Sequence, residues 1–171
     1  YCFSVVKNNH QAADEKEAWE LLVKRSQWIA DQFASSRYMY SIEVDKACFI
    51  ETLPRTIQYL QDINRSNVCI NYDPTNYYLN HEDPIEVFHA LQERIVSVHI
   101  KDGVRSKRSE VAVGTGELNY DLIFRTLLRT GKTYNLFIEH CKSEEELIAA
   151  AAHIQTVLDR IQKEAYWWKD E

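Results

Sequence analysis

Long apolar runs are the first thing missing. No stretch of the 171-residue chain approaches the ~18–20 consecutive apolar residues that span a bilayer, so no membrane partner is expected. No signal-peptide pattern opens it either. Positive charge is in deficit: 20 Lys and Arg stand against 26 Asp and Glu, a formal net charge of −6. That balance gives no electrostatic footprint for nucleic acid, and none is expected as a partner. Cysteine motifs are missing too. Cys2, Cys48, Cys69 and Cys141 are scattered without a CxxC spacing, which points to buried free thiols rather than a disulfide framework. These absences predict a soluble, cytoplasmic protein. There is also no linker, composition shift or low-complexity segment, so residues 1–171 read as one domain. Its composition, 45% hydrophobic and 27% charged, is that of a globular chain. The sequence begins at Tyr1 rather than Met and enters a strand-like YCFSVV at once, so the natural start is expected upstream.

What is present is a regular alternation of strand and helix patterns. Period-two segments fall at 1–6, 38–44, 67–73, 95–101 and 134–140. Between them lie helical patterns: 14–34, with Trp19, Leu22, Ile29 and Phe33 on one stripe, and a helix from near Pro54 with Ile57, Leu60 and Ile63 inward. A third opens at Asp83-Pro84 with a capping box completed by Glu86, and a fourth runs over 120–130 and stops at Gly131. The last starts after Ser143, with Leu147, Ala151, Ile154, Leu158 and Ile161 inward. Residues 102–118 read as loop, and the aromatic tail AYWWKDE is expected to pack on something. Short connections between alternating strands and helices imply parallel strands and an α/β fold. Five βα units at a spacing of roughly 30 residues leave a doubly wound sheet or part of a barrel as the architectures. No glycine-rich phosphate loop follows any strand; GTG at 114–116 lacks the GxGxxG spacing, which speaks against a flavodoxin-like sheet.

The segment VSVHIKDG at 96–103 shows where chemistry is expected. Val96, Val98 and Ile100 share one face; Ser97, His99 and Lys101 share the other, at the strand's end. The other strands repeat the arrangement, placing Glu43, Asp73 and Glu139 on their polar faces near their C-terminal ends. A lone strand-end carboxylate is usually a cap or loop residue, and a lone strand histidine usually a satisfied core residue. Four in register are harder to dismiss. Three carboxylates converging without a cation would repel one another and resist burial. One divalent ion, Mn²⁺, Mg²⁺, Co²⁺ or Zn²⁺, removes that difficulty and leaves positions open for substrate oxygens. In parallel α/β folds such sites lie at the carboxyl ends of strands.

SIEVD (41–45), NYDPTN (71–76), HIKD (99–102), VGTGE (113–117) and FIEH (137–140), in this order and spacing, resemble the xylose isomerase-like TIM-barrel superfamily. The sugar-phosphate isomerase/epimerase branch is the most similar, and the resemblance covers roughly residues 38–160. It implies a (β/α)8 barrel of which this chain would hold about the last five β/α units. It also implies that Glu43, Asp73, His99 and Glu139 bind the metal ion. Lys101 would face the substrate's oxyanion or phosphate. Asn76 stands where many members carry a histidine; it can hydrogen-bond a sugar hydroxyl but cannot act as a base. Arg105 is a candidate for orienting substrate, with a solvated loop arginine beside Lys107 and Arg108 as the plain alternative. Glu117 is expected to shape its loop, and His140 to face the helix layer.

The implied activity is a divalent-metal-dependent sugar or sugar-phosphate isomerisation or epimerisation. A proton moves next to a carbonyl through a metal-stabilised enediolate, with Glu43 and Glu139 as paired catalytic bases. The alternatives are a metal-dependent dehydratase on the same scaffold, or a non-catalytic partial barrel. Open sheet edges in a partial barrel lead to the expectation of a homo-oligomer.

Overall fold

The computed structural model describes residues 2–4, 14–45 and 48–167, with side chains for 14–45 and 48–164. The expected first strand is described only over Cys2–Ser4, and His10 and most of the AYWWKDE tail lie outside the described residues.

Five strands make one parallel sheet in the order β1-β2-β3-β4-β7: β1 Cys2–Ser4, β2 Tyr40–Glu43, β3 Val68–Tyr72, β4 Ile95–Ile100 and β7 Asn135–Ile138. The helices between them are α1 Glu15–Gln32, α2 Leu53–Ile63, α3 Pro74–Leu79, α4 Pro84–Leu91 and α5 Tyr120–Arg129, and α6 Glu144–Trp167 follows β7. Successive strands joined through helices on one face are the construction of a barrel wall, and among the described residues the sheet does not close on itself.

The strand alternation places the core. Ile42, Val44, Val68, Ile70, Tyr72, Val98 and Ile100 are all fully buried. They meet Tyr59 and Ile63 of α2, Val87 and Phe88 of α4, and Ile123 and Phe124 of α5 in one cluster. Each such aliphatic side chain contributes roughly 1.5–3 kcal/mol by leaving water. The register then aligns the opposite face. Glu43 lies beside Asn71, Asn71 beside Ser97, and His99 beside Phe137.

Helix ends follow local chemistry. Asp14, Asp73, Asp83 and Asn119 cap their helices through side-chain oxygens, and Pro74 and Pro84 occupy first turns. Gly131, at φ +67°, takes the left-handed position just past α5.

Some expectations need correction. Residues 102–118 are not plain loop: β5 (Asp102–Val104) and β6 (Ser109–Val111) form an antiparallel hairpin across a single 3₁₀ turn. Helix α3 follows β3 directly, where no helix was expected. Phe33 is 38% exposed, because it caps the end of α1 rather than lying on its buried stripe. On α6 the buried stripe is Ala150, Ile154, Val157 and Ile161, while Leu147 and Ala151 face outward.

Candidate metal centre

Four side chains meet at the C-terminal edge of the sheet. Glu43 is the last residue of β2, Asp73 joins β3 to α3, His99 lies one residue before the end of β4, and Glu139 immediately follows β7. The Glu139 N–H donates to Ile100 O at 2.9 Å, so the residue keeps strand register beyond the last β7 pairing. One ligand atom from each of the four lies within 4.8 Å of every other. Two ligands of one ion sit at most about twice a bond length apart, ~4–5 Å for metal–oxygen bonds of ~2.0–2.6 Å. The spacing and the three-carboxylate, one-imidazole donor set therefore fit a divalent cation.

The four converging groups perturb one another's protonation. His99 Nδ1 sits 3.1 Å from Glu43 Oε1 and 3.0 Å from Glu139 Oε1. Burial works against a charged imidazole, but hydrogen bonds to Glu139 and Glu43 outweigh it and raise its pKa to about 9. The same hydrogen bond from His99 holds the Glu139 carboxyl below its usual value. Asp73 is 1% exposed, and burial pushes its pKa up to about 6 despite the neighbouring Lys101 ammonium.

Lys101 is at the centre of the arrangement. Its Nζ lies 2.9 Å from Asp73 Oδ2, 3.6 Å from Glu110 Oε1 and 3.8 Å from Glu139 Oε2, and the residue is 3% exposed. Burial disfavours its charge, yet Asp73 first, then Glu110 and Glu43, raise its pKa overall. Asn76 is fully buried and touches Glu43: its Nδ2 donates to Val44 O at 2.9 Å and reaches Glu43 Oε1 at 3.4 Å. Arg105 is turned to other partners. Its guanidinium stacks 3.8 Å over Tyr78 and donates to the carbonyls of Tyr78 and Glu82. Glu117 shapes that loop, accepting from Arg105 N at 2.8 Å and Tyr78 OH at 3.0 Å. His140 does not face the helix layer; at φ +57° its ring turns toward Glu110, 3.6 Å away.

Two residues that alternation did not single out support the site. Glu110 reaches it from the hairpin, and the alternating SEVAV was the available signal. Asp102 is 1% exposed and accepts four backbone N–H groups, from Gly103, Gly114, Gly116 and Leu118, at 2.8–3.1 Å. It ties the VGTGE segment to the end of β4; the carboxylate next to Lys101 and the glycines 12 and 14 residues on were its signal.

A family model described as xylose isomerase-like TIM barrel matches residues 2–161. A 3-oxo-isoapionate decarboxylase of Pectobacterium atrosepticum is 27% identical over 110 residues, 59% of this chain and 40% of the relative. A D-tagatose 3-epimerase-like protein superposes with a TM-score of 0.80 at 14% identity, covering 96% of this chain and 63% of that one. The probable 3-DHS dehydratase of petrobactin synthesis from Bacillus anthracis gives 0.76 at 20% identity, covering 92% and 62%. A xylose isomerase-like TIM barrel protein from Mycobacterium smegmatis, solved in complex with magnesium, gives 0.64 at 21% identity, covering 90% and 54%. This chain thus spans less than two thirds of the length of each. Parallel strands carrying a carboxylate and histidine cluster at their C-terminal ends agree with the match along nearly the whole sequence, and the chain belongs to the xylose isomerase-like TIM barrel family.

Proposed function

We propose that the chain carries the metal site of a divalent-metal-dependent sugar or sugar-phosphate isomerase or epimerase. The observation that supports this reading is the convergence of Glu43, Asp73, His99 and Glu139 within 4.8 Å. A divalent ion held there would polarise a ketone and its neighbouring hydroxyl and stabilise the enediolate left when the intervening proton is removed. Glu43 and Glu139 are the bases that take and return that proton. Their side chains are 15% and 32% exposed, so Glu139 is the more open to the inner face of the sheet, where Phe137 is 51% exposed beside it. Asn76, fully buried, holds Glu43 in place through its amide nitrogen. Lys101, 3.8 Å from Glu139 Oε2, is assigned to the substrate's anionic end, whereas Arg105, turned to Tyr78 and Glu82, is given no role at the metal.

The decarboxylase relative favours a second reading on the same site. Loss of carbon dioxide from a 3-oxo acid leaves the same kind of enolate as proton removal, and dehydration passes through it when the proton next to the ketone is removed before the β-hydroxyl departs. Binding and products separate these readings. One Mn²⁺ per purified chain is expected, lost in the double variant Glu43→Gln, Asp73→Asn. In deuterated water, NMR should then show exchange at the carbon beside the carbonyl of a keto-sugar such as D-tagatose. Carbon dioxide release or dehydration of a keto acid without such exchange selects the second reading. A folded wild-type chain that binds no Mn²⁺ overturns both.

A further inference from the structure

We propose that Lys101 is the resident cation of this cluster, and that a divalent ion loads by displacing its ammonium from Asp73 toward Glu110. The inference rests on the metal-binding reading above and concerns which side chain yields when the ion arrives.

The oxygens of Asp73 are not equivalent. Oδ1 accepts the N–H of Thr75 at 2.9 Å and of Asn76 at 3.0 Å, as the cap of α3. Both its lone pairs are used, so Oδ2 is the atom Asp73 has to give a metal ion. That is the oxygen Lys101 Nζ approaches to 2.9 Å. Oδ2 receives no hydrogen bond of acceptable direction, so the pair is a charge contact rather than a directed bond. Metal and ammonium compete for one atom, and two cations side by side on it repel.

The surroundings allow the exchange. The Lys101 backbone is pinned, its carbonyl accepting from Thr75 Oγ1 at 2.6 Å and from Tyr120 OH, with Asp102 anchored next in the chain. The ammonium, by contrast, rides on a flexible four-carbon stem. Glu110 Oε1 is already 3.6 Å from it, and Glu110 is not one of the four converging ligands. The hairpin thus supplies a carboxylate that can take over the lysine without taking part in coordination. In the metal-free protein Lys101 offsets the charge of a buried Asp73, which would be costly to leave alone.

Titration of MnCl₂ into metal-stripped protein, followed by calorimetry, tests this. Lys101→Met keeps a side chain of similar bulk without charge, and is expected to bind Mn²⁺ at least tenfold more tightly than wild type. Glu110→Gln removes the alternative partner and is expected to weaken binding several-fold in the wild-type background, with little effect when Lys101 is already methionine. Unchanged or weaker Mn²⁺ binding by folded Lys101→Met overturns the inference while the metal site stands. Equal weakening by Glu110→Gln in both backgrounds overturns the transfer to Glu110. Absence of Mn²⁺ binding in wild type and in Lys101→Met alike overturns the metal reading, and the inference with it. Should Lys101→Met fail to fold, a crystal structure of the wild-type chain with Mn²⁺ decides. Nζ should lie beyond hydrogen-bonding reach of Asp73 and closer to Glu110; Nζ remaining on Oδ2 beside the bound ion refutes the displacement.

Discussion

Asp102 shows how much one buried carboxylate can organise. Oδ1 accepts from Gly103 and Leu118, Oδ2 from Gly114 and Gly116, and together these bonds fold residues 114–118 back onto the end of β4. The geometry leaves no room for a side chain at 116. A Cβ there would fall 2.3 Å from Asp102 Oδ1 and 2.7 Å from Gly103 N; the second is backbone, and the first belongs to a carboxylate held by four N–H groups. Gly116→Ala is therefore expected to lower stability in urea by roughly 1–3 kcal/mol, the cost of forcing atoms into filled space. Asp102→Asn should cost a similar amount, because an amide nitrogen would face two N–H donors. Lys101 gives the complementary lesson. Alternation correctly puts it on the His99 face, but does not tell whether it reaches solvent or a carboxylate. Asp73 and Glu110, 28 residues before it and 9 after, decide that, and only packing brings them together.

At the scale of elements, α5 and α6 are clasped by a charged network. Asp121 on α5 contacts Arg125 and, across the helix pair, Arg160 at 2.7 Å; Arg125 in turn contacts Glu164 on α6. The hydrogen bond from Arg125 lowers the Asp121 pKa below 3.8, with Arg160 adding to it. A carboxylate with a depressed folded pKa contributes stability above its unfolded pKa and loses it as pH falls through the folded value. Asp121→Asn is thus expected to reduce urea stability at neutral pH by about 1 kcal/mol, the scale of an exposed network. The difference from wild type should close as pH falls below 3.8. Denaturation at several pH values checks both the size and the sign. The same scale explains what the pattern missed. Each strand of the hairpin has only three residues and α3 only six, too few to establish a period. Leu147 fits the α6 stripe by spacing yet is 44% exposed, since burial there also depends on how the helix lies against β7 and α5.

For the molecule as a whole, the proposed ion would be a cross-link. Its four ligands come from β2, the β3–α3 junction, β4 and the residue after β7, which together span four of the five sheet strands. An ion bound by the folded chain alone stabilises it by mass action, about 2.7 kcal/mol at a hundredfold excess over Kd. For a chain of this size that corresponds to a rise in Tm of roughly 5–10 °C, reversed by a chelator. A thermal scan with and without Mn²⁺ checks it, and the Glu43→Gln, Asp73→Asn variant should show no rise. Among the described residues β7 is the last strand of the sheet, with Leu136 and Phe137 37% and 51% exposed.

The division between what the chain's pattern decides and what the fold decides follows from the range of the forces involved. Side-chain alternation is a local consequence of backbone geometry, so the five strands, their inward faces and the strand-end positions of Glu43, Asp73, His99 and Glu139 follow from residues adjacent in sequence. Helix starts at Asp14 and Asp83 and the stop at Gly131 are local in the same way. Distances between those ends are not local. That His99 lies between two glutamates, that Lys101 turns inward to Asp73, and that a hairpin delivers Glu110 depend on strand register and loop closure across tens of residues. Those contacts exist only once the sheet has assembled.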